Sequence, residues 1–563
     1  MPTAAGAALK GRAAVVLKRA PKARPYRKEI LKGAQGLRGP SGVSLTHVLA
    51  LLAALALSTV AENRKPGTAD WDLTHPALHR EIEGYASKTS VNGGETIDLY
   101  VSTRAPRYVI DVFRMGWYGG AGARHVAGPI ERAGIAQDAP SSDPATGLLE
   151  CAWRDPYRLA TSDADGPWTT GVYLARLTTR GATDDDQSFI VFVVRDDARD
   201  APIAFQSSVT TFAAYNNWGG KSLYAFNSGN APARKVSFDR PYAANPYGVQ
   251  LDGAGDFLRR WEYNTVRFLE REGFELTYLT DVDTNEREDL LRRRRVFLSV
   301  GHDEYWSWPA RQHVEAARDA GVHLAFLGAD ACYWQIRFEP GARGDADRTI
   351  VAYKEAAGDQ DPLAIDRQPQ NNRLVTGRWR DRPVSRPEER LVGVMYAADP
   401  VDADIVIADA SHWVFAGAGL RNGDALPGLL GYEVDAIYGG GPPGLERLAH
   451  SPFVDRGASD RIRYADMTIY TAPSGALVFA TGSMQWNWGL DGYNAPRWHP
   501  LRASAAAQQI TRNVLNRMLR QSAVPAPPGA LAAWMPSAIV SLATLIAAVV
   551  VLRAWLRRPR IHR

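Results

Sequence analysis

The densest group of chemically capable side chains lies in residues 296–307, which read VFLSVGHDEYWS. An apolar, β-prone run ends at Gly301 and is followed by five polar or aromatic residues: His302, Asp303, Glu304, Tyr305 and Trp306. Short apolar runs are typical of buried strands in α/β proteins, and ligands bind just beyond the carboxyl ends of such strands. The segment therefore predicts a strand followed by a functional loop. A role in capping the next helix is equally compatible with these carboxylates.

Three further polar clusters follow predicted strands or turns, and they occupy residues 210–224, 328–334 and 431–435. Their side chains include the phenol of Tyr215 and the carboxylates of Asp330 and Glu433. The predicted walls of a substrate pocket are Asn216, Trp218, Tyr305 and Trp306. Clusters at the strand ends of one domain can meet in one crevice, which would combine carboxylates, an imidazole, phenols and indoles.

Several common kinds of site are excluded. No Walker phosphate-binding loop and no Gly-x-Ser-x-Gly nucleophile elbow is present in the sequence. His75 and His79 have the offset of a zincin helix, but Pro76 stands where that motif needs its glutamate. The two cysteines, Cys151 and Cys332, are too few for a disulfide-rich scaffold or a Cys-based zinc site. Carboxylate and tyrosinate oxygens would suit trivalent iron better than zinc.

Residues 70–200 are predicted to form a β-sandwich of immunoglobulin-like layout, because short runs alternate polar and apolar residues between turns. An Asn-Gly-Gly turn at residues 92–94 predicts a hairpin. In residues 201–522, strands interleave with amphipathic helices at 257–272 and 308–320, which predicts a mainly parallel sheet covered on both faces. The predicted fold class is α/β plus all-β.

Two uncharged apolar segments, residues 43–61 and 531–552, are predicted to be flanking transmembrane helices. A cleaved signal peptide is the alternative for the first. Basic tails at residues 1–42 and 553–563 hold the positive excess of a chain with net charge +5, so both termini are predicted to be cytoplasmic. The predicted location is the cytoplasmic membrane, with residues 65–525 outside the cytoplasm. Because each basic tail adjoins an apolar run, membrane topology explains the charge better than nucleic-acid binding does.

Four runs, AYNNWGGKSLY, GHDEYWS, FLGADACYW and GYEVD, resemble the large (beta) subunit of N,N-dimethylformamidase and its relatives over residues 80–520. The resemblance implies a β-sandwich followed by a domain similar to the class I glutamine amidotransferases. It also implies a mononuclear Fe(III) site made by two tyrosines and one glutamate, a small amide substrate, and assembly with a small subunit or as a homo-oligomer.

Transferred by motif, the resemblance implies three iron ligands: Tyr173, Tyr215 and Glu304. It implies that Glu433 is the general base and that His302 supports the metal or polarises the substrate. Asp330 stands where the family has asparagine, and Asp303 where it has proline.

The leading hypothesis is a membrane-anchored amidohydrolase that cleaves the C–N bond of a small, formamide-type amide at the iron site. One alternative is a non-catalytic cell-envelope module that binds glycan or polymer in an aromatic crevice. Another is a different hydrolase on the same scaffold, acting on a peptide or an envelope amide. The enzymatic hypotheses require the three predicted iron ligands to meet at one point.

Overall fold

The computed structural model describes residues 58–181, 185–243, 252–458 and 460–521. Its first part is a β-sandwich. The strands are β1 (Ile82–Ala86), β2 (Ser90–Asn92), β3 (Thr96–Thr103), β4 (Arg107–Met115), β5 (Ala123–Ala133), β6 (Tyr157–Ala160), β7 (Ser162–Asp163), β8 (Gly166–Pro167), β9 (Gly171–Arg180) and β10 (Gln187–Arg195). One sheet has the order β1-β3-β6 and the other β2-β10-β9-β4-β5, while β7 and β8 form a small ribbon.

Alternate residues of β3, such as Ile97 and Leu99, pack in one core with Ile110 of β4 and Leu177 of β9. This alternation is expected for two sheets that face each other. The predicted hairpin around residues 92–94 is only partly right. β1 and β3 do pair in antiparallel fashion, with Tyr85 opposite Tyr100. The short strand β2, directly before the turn, belongs to the other sheet and pairs in parallel with β10.

The second part is built on strands interleaved with helices. Its strands are β11 (Ile203–Ser207), β12 (Lys235–Ser237), β13 (Leu276–Thr280), β14 (Val296–His302), β15 (Tyr305–Ser307), β16 (His323–Ala329), β17 (Trp334–Glu339), β18 (Thr349–Val351), β19 (Met395–Val406), β20 (Ala425–Ala436), β21 (Glu446–Asp455), β22 (Arg461–Thr471) and β23 (Leu477–Ala480). The α-helices of the described chain are α1 (Thr59–Glu62), α2 (Val209–Tyr215), α3 (Tyr263–Arg271), α4 (Asp281–Glu286), α5 (Asp289–Arg292), α6 (Trp308–Asp319), α7 (Ala357–Gln360), α8 (Pro362–Ile365), α9 (Glu389–Val392), α10 (Trp486–Leu490) and α11 (Ala505–Arg520).

The main sheet has seven strands in the order β13-β11-β14-β16-β23-β22-β21. From β13 to β23 the neighbouring strands are parallel, and β22 and β21 continue the sheet in antiparallel fashion. Leu324 and Phe326 of β16 pack in one core, whereas Ala325 and Leu327 pack in another, so both faces of the sheet are covered. Smaller sheets, β12-β18-β17-β15 and β19-β20, lie beside it.

Local sequence explains how the helices begin. Ser307 caps α6 by accepting from Ala310 N, and Pro309 follows in the first turn. The helix predicted over residues 257–272 is interrupted: a π-helical turn, Phe257–Trp261, precedes α3.

Within the described ranges, no helix combines the length and the apolar character needed to cross a membrane. The predicted flanking transmembrane helices and the predicted membrane location with cytoplasmic termini find no support in the described residues. Residues 43–57 and 531–552 lie outside the described residues, as do both basic tails. The end of the first predicted span instead forms α1, where Ser58 caps the helix and buried Thr59 donates to Phe274 O at 3.2 Å. These bonds hold the segment against the folded chain.

Candidate active site

The first site residues lie at the carboxyl ends of two neighbouring parallel strands. β14 ends at His302, and β16 ends one residue before Asp330. Gly301 and Gly328 are partners in the register of these strands. A Cβ on Gly328 would collide with the backbone of Gly301, and a Cβ on Gly301 would collide with Trp261. The two glycines therefore allow the close approach at the point where the functional loops begin.

Glu304 receives hydrogen bonds from two phenols. Tyr215 OH donates to Glu304 Oε2 at 3.0 Å, and Tyr224 OH lies 2.9 Å from both carboxylate oxygens. The two phenol rings stack with their centroids 4.2 Å apart, and Tyr305 OH donates to the Tyr224 hydroxyl at 2.6 Å. Two phenolic oxygens and one carboxylate therefore converge at one place.

A second group of buried side chains adjoins that carboxylate. His302, Asp330 and Glu433 each offer one potential ligand atom, and these atoms lie within 4.8 Å of one another. His302 Nε2 is 3.2 Å from Glu304 Oε2 and 3.6 Å from Glu433 Oε2. Three buried atoms in the group, His302 Nε2, Asp330 Oδ1 and Glu433 Oε2, make no well-aligned hydrogen bond, although they lie close to one another and to Glu304. Since buried polar atoms are normally paired, this group is a candidate place for a ligand.

Burial raises the pKa of Glu433 to about 7, although nearby His302 opposes the shift. Burial and the carboxylates of Glu433 and Glu304 also raise the pKa of Asp330 well above its ordinary value. Burial alone would lower the pKa of His302, but Glu433 and Glu304 outweigh it and raise the pKa to about 9. The group can therefore hold a protonated carboxyl and an imidazolium beside a carboxyl that titrates near neutral pH, as proton-transfer sites require.

Asp303 holds the loop between these two groups. Its carboxylate accepts from Gln206 Nε2, Ser299 Oγ and Trp306 Nε1, each at 2.8 Å. The bonds come from β11, from β14 and from the segment after the loop. They fix the backbone that carries the site residues on either side of Asp303.

Lys354 contributes a buried cation. Its Nζ lies 3.3 Å from the centroid of the Tyr224 ring and 4.9 Å from that of Trp334, close enough for cation–π attraction. Burial lowers the pKa of Lys354 to about 8, against the opposing effect of Glu304. A positive charge therefore stands against one of the phenols that meet Glu304.

The donor set of Tyr215, Tyr224 and Glu304 fits a hard trivalent cation. Loss of the two phenolic protons would leave three anionic oxygens close together, which requires a cation among them. Burial and the Glu304 carboxylate raise the pKa of both phenols well above the ordinary value, and a bound metal ion would reverse that balance.

The family described as N,N-dimethylformamidase beta subunit-like, C-terminal, matches residues 109–499. The chain belongs to this family. Two relatives, from an Alcaligenes species and from Paracoccus aminophilus, are both named N,N-dimethylformamidase beta subunit. They are 22% identical over 452 residues and 23% identical over 459 residues, respectively. Each alignment covers 67% of this chain and 56% of the relative, so the chain spans little more than half the length of these relatives.

The resemblance predicted from the sequence is thus confirmed. In this dimethylformamidase-like chain, the structure brings together six of the predicted site residues: Tyr215, His302, Glu304, Tyr305, Asp330 and Glu433.

The structure does not bring Tyr173 to this place, which corrects the predicted ligand set. Tyr173 lies in the sandwich core, where its hydroxyl donates to Thr169 O at 2.5 Å. Its ring stacks against Trp168 and Phe192. Tyr173 is fully buried, and its ring fills part of the core between the two sheets of the sandwich. The second phenol at Glu304 is Tyr224.

Three of the predicted pocket residues have internal partners instead. Asn216 Nδ2 donates to Pro241 O, Trp218 Nε1 donates to Glu83 Oε2, and Trp306 Nε1 donates to Asp303 Oδ1. All three side chains are buried. They stabilise the loops around the site and do not form an exposed wall.

Sequence reasoning missed Tyr224 and Lys354. Tyr224 ends the aromatic run that begins near Tyr215, so its residue type and position gave a usable signal. Lys354 lies in an irregular region without periodicity, and only tertiary packing brings it to the Tyr224 ring.

Proposed function

We propose that the chain hydrolyses the C–N bond of a small amide of the formamide type, at a mononuclear iron held by Tyr215, Tyr224 and Glu304. The observation that carries the proposal is the convergence of two phenols on Glu304, directly beside the buried group of His302, Asp330 and Glu433. Family membership and the names of the two relatives support the reaction type.

Iron held by these oxygens would supply Lewis-acid polarisation of the amide carbonyl. Glu433 accepts a proton from water while the water oxygen forms its bond to the carbonyl carbon. Glu433 then passes that proton to the amide nitrogen as the C–N bond breaks, which yields a carboxylic acid and an amine. A pKa near neutrality, about 7 for Glu433, suits both transfers.

The other two residues of the group set its charge and its hydrogen bonding. Protonated Asp330 can donate a hydrogen bond to a bound amide, because burial and nearby carboxylates raise its pKa. His302 lies between the carboxylates of Glu304 and Glu433 and partly balances their charge when it is protonated.

Both relatives carry the name of a beta subunit. We extend this to the chain and propose that it works in an assembly of more than one subunit. The alternative function, glycan or polymer binding in an aromatic crevice, receives less support, because Trp218 is 3% and Trp306 is 1% exposed.

The test uses the full chain produced with iron. Glu304→Ala removes the shared carboxylate, whereas Tyr173→Phe serves as the matched control, since its hydroxyl donates to Thr169 O within the sandwich. Iron content, the tyrosinate-to-iron absorption band and amine release from N,N-dimethylformamide are measured. Glu304→Ala should lose all three, and Tyr173→Phe should keep them. A folded wild-type chain that binds no iron, or an iron-free Glu304→Ala variant that still hydrolyses the amide, contradicts the proposal.

A further inference from the structure

The buried group of His302, Asp330 and Glu433 has the composition of a metal site of its own. It contains none of the three proposed iron ligands, and each of its members offers one ligand atom within 4.8 Å of the others. One imidazole and two carboxylates are donors that Zn²⁺ and related divalent ions accept. All three residues are buried, so their polar atoms are shielded from bulk water.

The spacing of the donor atoms fits an ion of this size. Ligand atoms in tetrahedral zinc sites lie about 2.0–2.2 Å from the ion, which places them roughly 3.3–3.6 Å from one another. His302 Nε2 and Glu433 Oε2 are 3.6 Å apart. Neither of these atoms, nor Asp330 Oδ1, makes a well-aligned hydrogen bond. An ion between them would give all three atoms the partner that buried polar atoms normally have.

The Glu304 carboxylate is engaged elsewhere. It lies 3.2 Å from His302 Nε2, but it already accepts hydrogen bonds from Tyr215 and Tyr224. The imidazole nitrogen therefore remains available on the side that faces Glu433.

The backbone fixes Asp330 without using its carboxylate. Asp330 N donates to Asp435 Oδ1 at 2.9 Å, and Cys332 N donates to Asp303 O at 2.9 Å. Asp330 has a φ of 55°, in the left-handed region that Asn and Asp adopt more readily than most residues. Backbone contacts thus hold the Asp330 side chain in the group and leave its Oδ1 available as a ligand.

The charges of the group also favour a cation. Two buried carboxylates this close repel each other, so without a cation at least one of Asp330 and Glu433 must carry a proton. A divalent ion is attracted by both carboxylates and can replace that proton, which leaves to solvent.

We propose that His302, Asp330 and Glu433 bind a divalent transition-metal ion of the Zn²⁺ type, and that an ion bound there inhibits amide hydrolysis. The binding depends on these three side chains alone. The inhibition rests on the proposed function, because the ion would occupy the Glu433 oxygen that accepts a proton from water.

Equilibrium dialysis of the full chain, produced with iron, against Zn²⁺ tests the binding, and zinc and iron are measured in the same samples. The wild type should take up one Zn²⁺ per chain and keep its iron. Asp330→Asn should weaken zinc binding at least about tenfold and also keep its iron. The substitution is nearly isosteric, and asparagine tolerates the left-handed φ of residue 330, so the loop should fold normally.

Asp399→Asn is the matched control, since it removes the same charge without removing a ligand. Asp399 is exposed on β19 and accepts from Tyr396 OH at 2.6 Å. This variant should bind Zn²⁺ like the wild type. Equal zinc binding by the two variants, or zinc uptake that expels an equal amount of iron from the wild type, overturns the proposed site.

Amine release from N,N-dimethylformamide by the wild type, measured over the same range of Zn²⁺, tests the inhibition. Half-inhibition should occur at the Zn²⁺ concentration that half-fills the site, and full activity at a filled site overturns this part of the proposal. A chain that binds no iron or hydrolyses no amide would remove the proposed function and with it the inhibition. Zinc uptake needs no turnover, so it decides the binding in either case.

Discussion

Tyr224 OH lies 2.9 Å from each oxygen of the Glu304 carboxylate, although the two residues are 80 positions apart in the sequence. Tyr215 reaches the same carboxylate from the end of α2. The Glu304 carboxylate thus accepts hydrogen bonds from two phenols, one at the end of a helix and one in the loop that follows it. The chemistry proposed for the chain depends on this arrangement of two phenols around one carboxylate.

Tyr224→Phe should lower iron affinity by at least about tenfold, because even indirect partners of a metal ligand are worth about 10–100-fold. The substitution removes one oxygen but keeps the ring that stacks on Tyr215 and lies under Lys354. Competition with a chelator measures the affinity, and Tyr173→Phe is the control. Equal iron affinity in both variants would contradict the assignment of Tyr224.

Glu433→Gln should lower kcat by about 10²–10⁴, the usual contribution of a general base. Iron content should not change, because Glu433 is not among the three proposed ligands. Amine release and metal analysis on the same preparation check both statements. A variant that turns over at the wild-type rate would exclude Glu433 as the base.

Asp303→Ala should destabilise the chain by roughly 3 kcal/mol, since it leaves buried donors on Gln206, Ser299 and Trp306 without an acceptor. Denaturant unfolding measures the change. Asp319→Ala is the control: this side chain is 60% exposed, so the change should stay within about 0.5 kcal/mol. Similar stabilities for the two variants would show that the Asp303 bonds do not stabilise the loop.

Glu262→Gln should change how stability depends on pH. Glu262 accepts from Ser207 Oγ and Ser208 N, and burial raises its pKa from 4.5 to about 8. Between these values the folded state keeps the proton that the unfolded state has lost. The wild type should therefore lose about 1.4 kcal/mol of unfolding free energy per pH unit as pH rises, relative to the variant.

Denaturant unfolding at several pH values between 5 and 8 measures this difference for the wild type and for Glu262→Gln. Parallel stability curves for the two proteins would show that the carboxyl is not held protonated in the folded state.

Part of the site could be predicted because its signals are local. The apolar run at residues 296–300 lies within β14, and the sheet places its carboxyl end beside that of β16. His302 and Glu304 therefore lie where the spacing predicts. Asp330 lies beside His302 for the same reason.

The second phenol could not be chosen from local sequence. Tyr173 and Tyr224 each follow a glycine-containing stretch, but their positions depend on long-range packing. Leu223 N donates to Ala214 O at 3.0 Å, which folds the loop back and returns Tyr224 to the end of α2. Tyr173 instead lies on the inward face of β9, in the core of the β-sandwich that the alternating sequence pattern predicts.

The hydropathy-based prediction of a membrane span is wrong at residues 58–61, because these residues form the cap and first turn of a short helix. Ser58 caps α1, and the hydroxyl of buried Thr59 donates to Phe274 O in the α/β part of the chain. Composition measures how apolar a segment is, whereas a cap and its tertiary bond decide where that segment lies.

The glycine pair on β14 and β16 also limits which substitutions the protein tolerates beside its candidate active site. A side chain at Gly328 would collide with the Gly301 backbone, and one at Gly301 would collide with Trp261, directly beside the strand ends that position His302 and Asp330. Laboratory evolution toward other substrates will therefore find few tolerated mutations at Gly301 or Gly328, and new selectivity should arise in the surrounding loops.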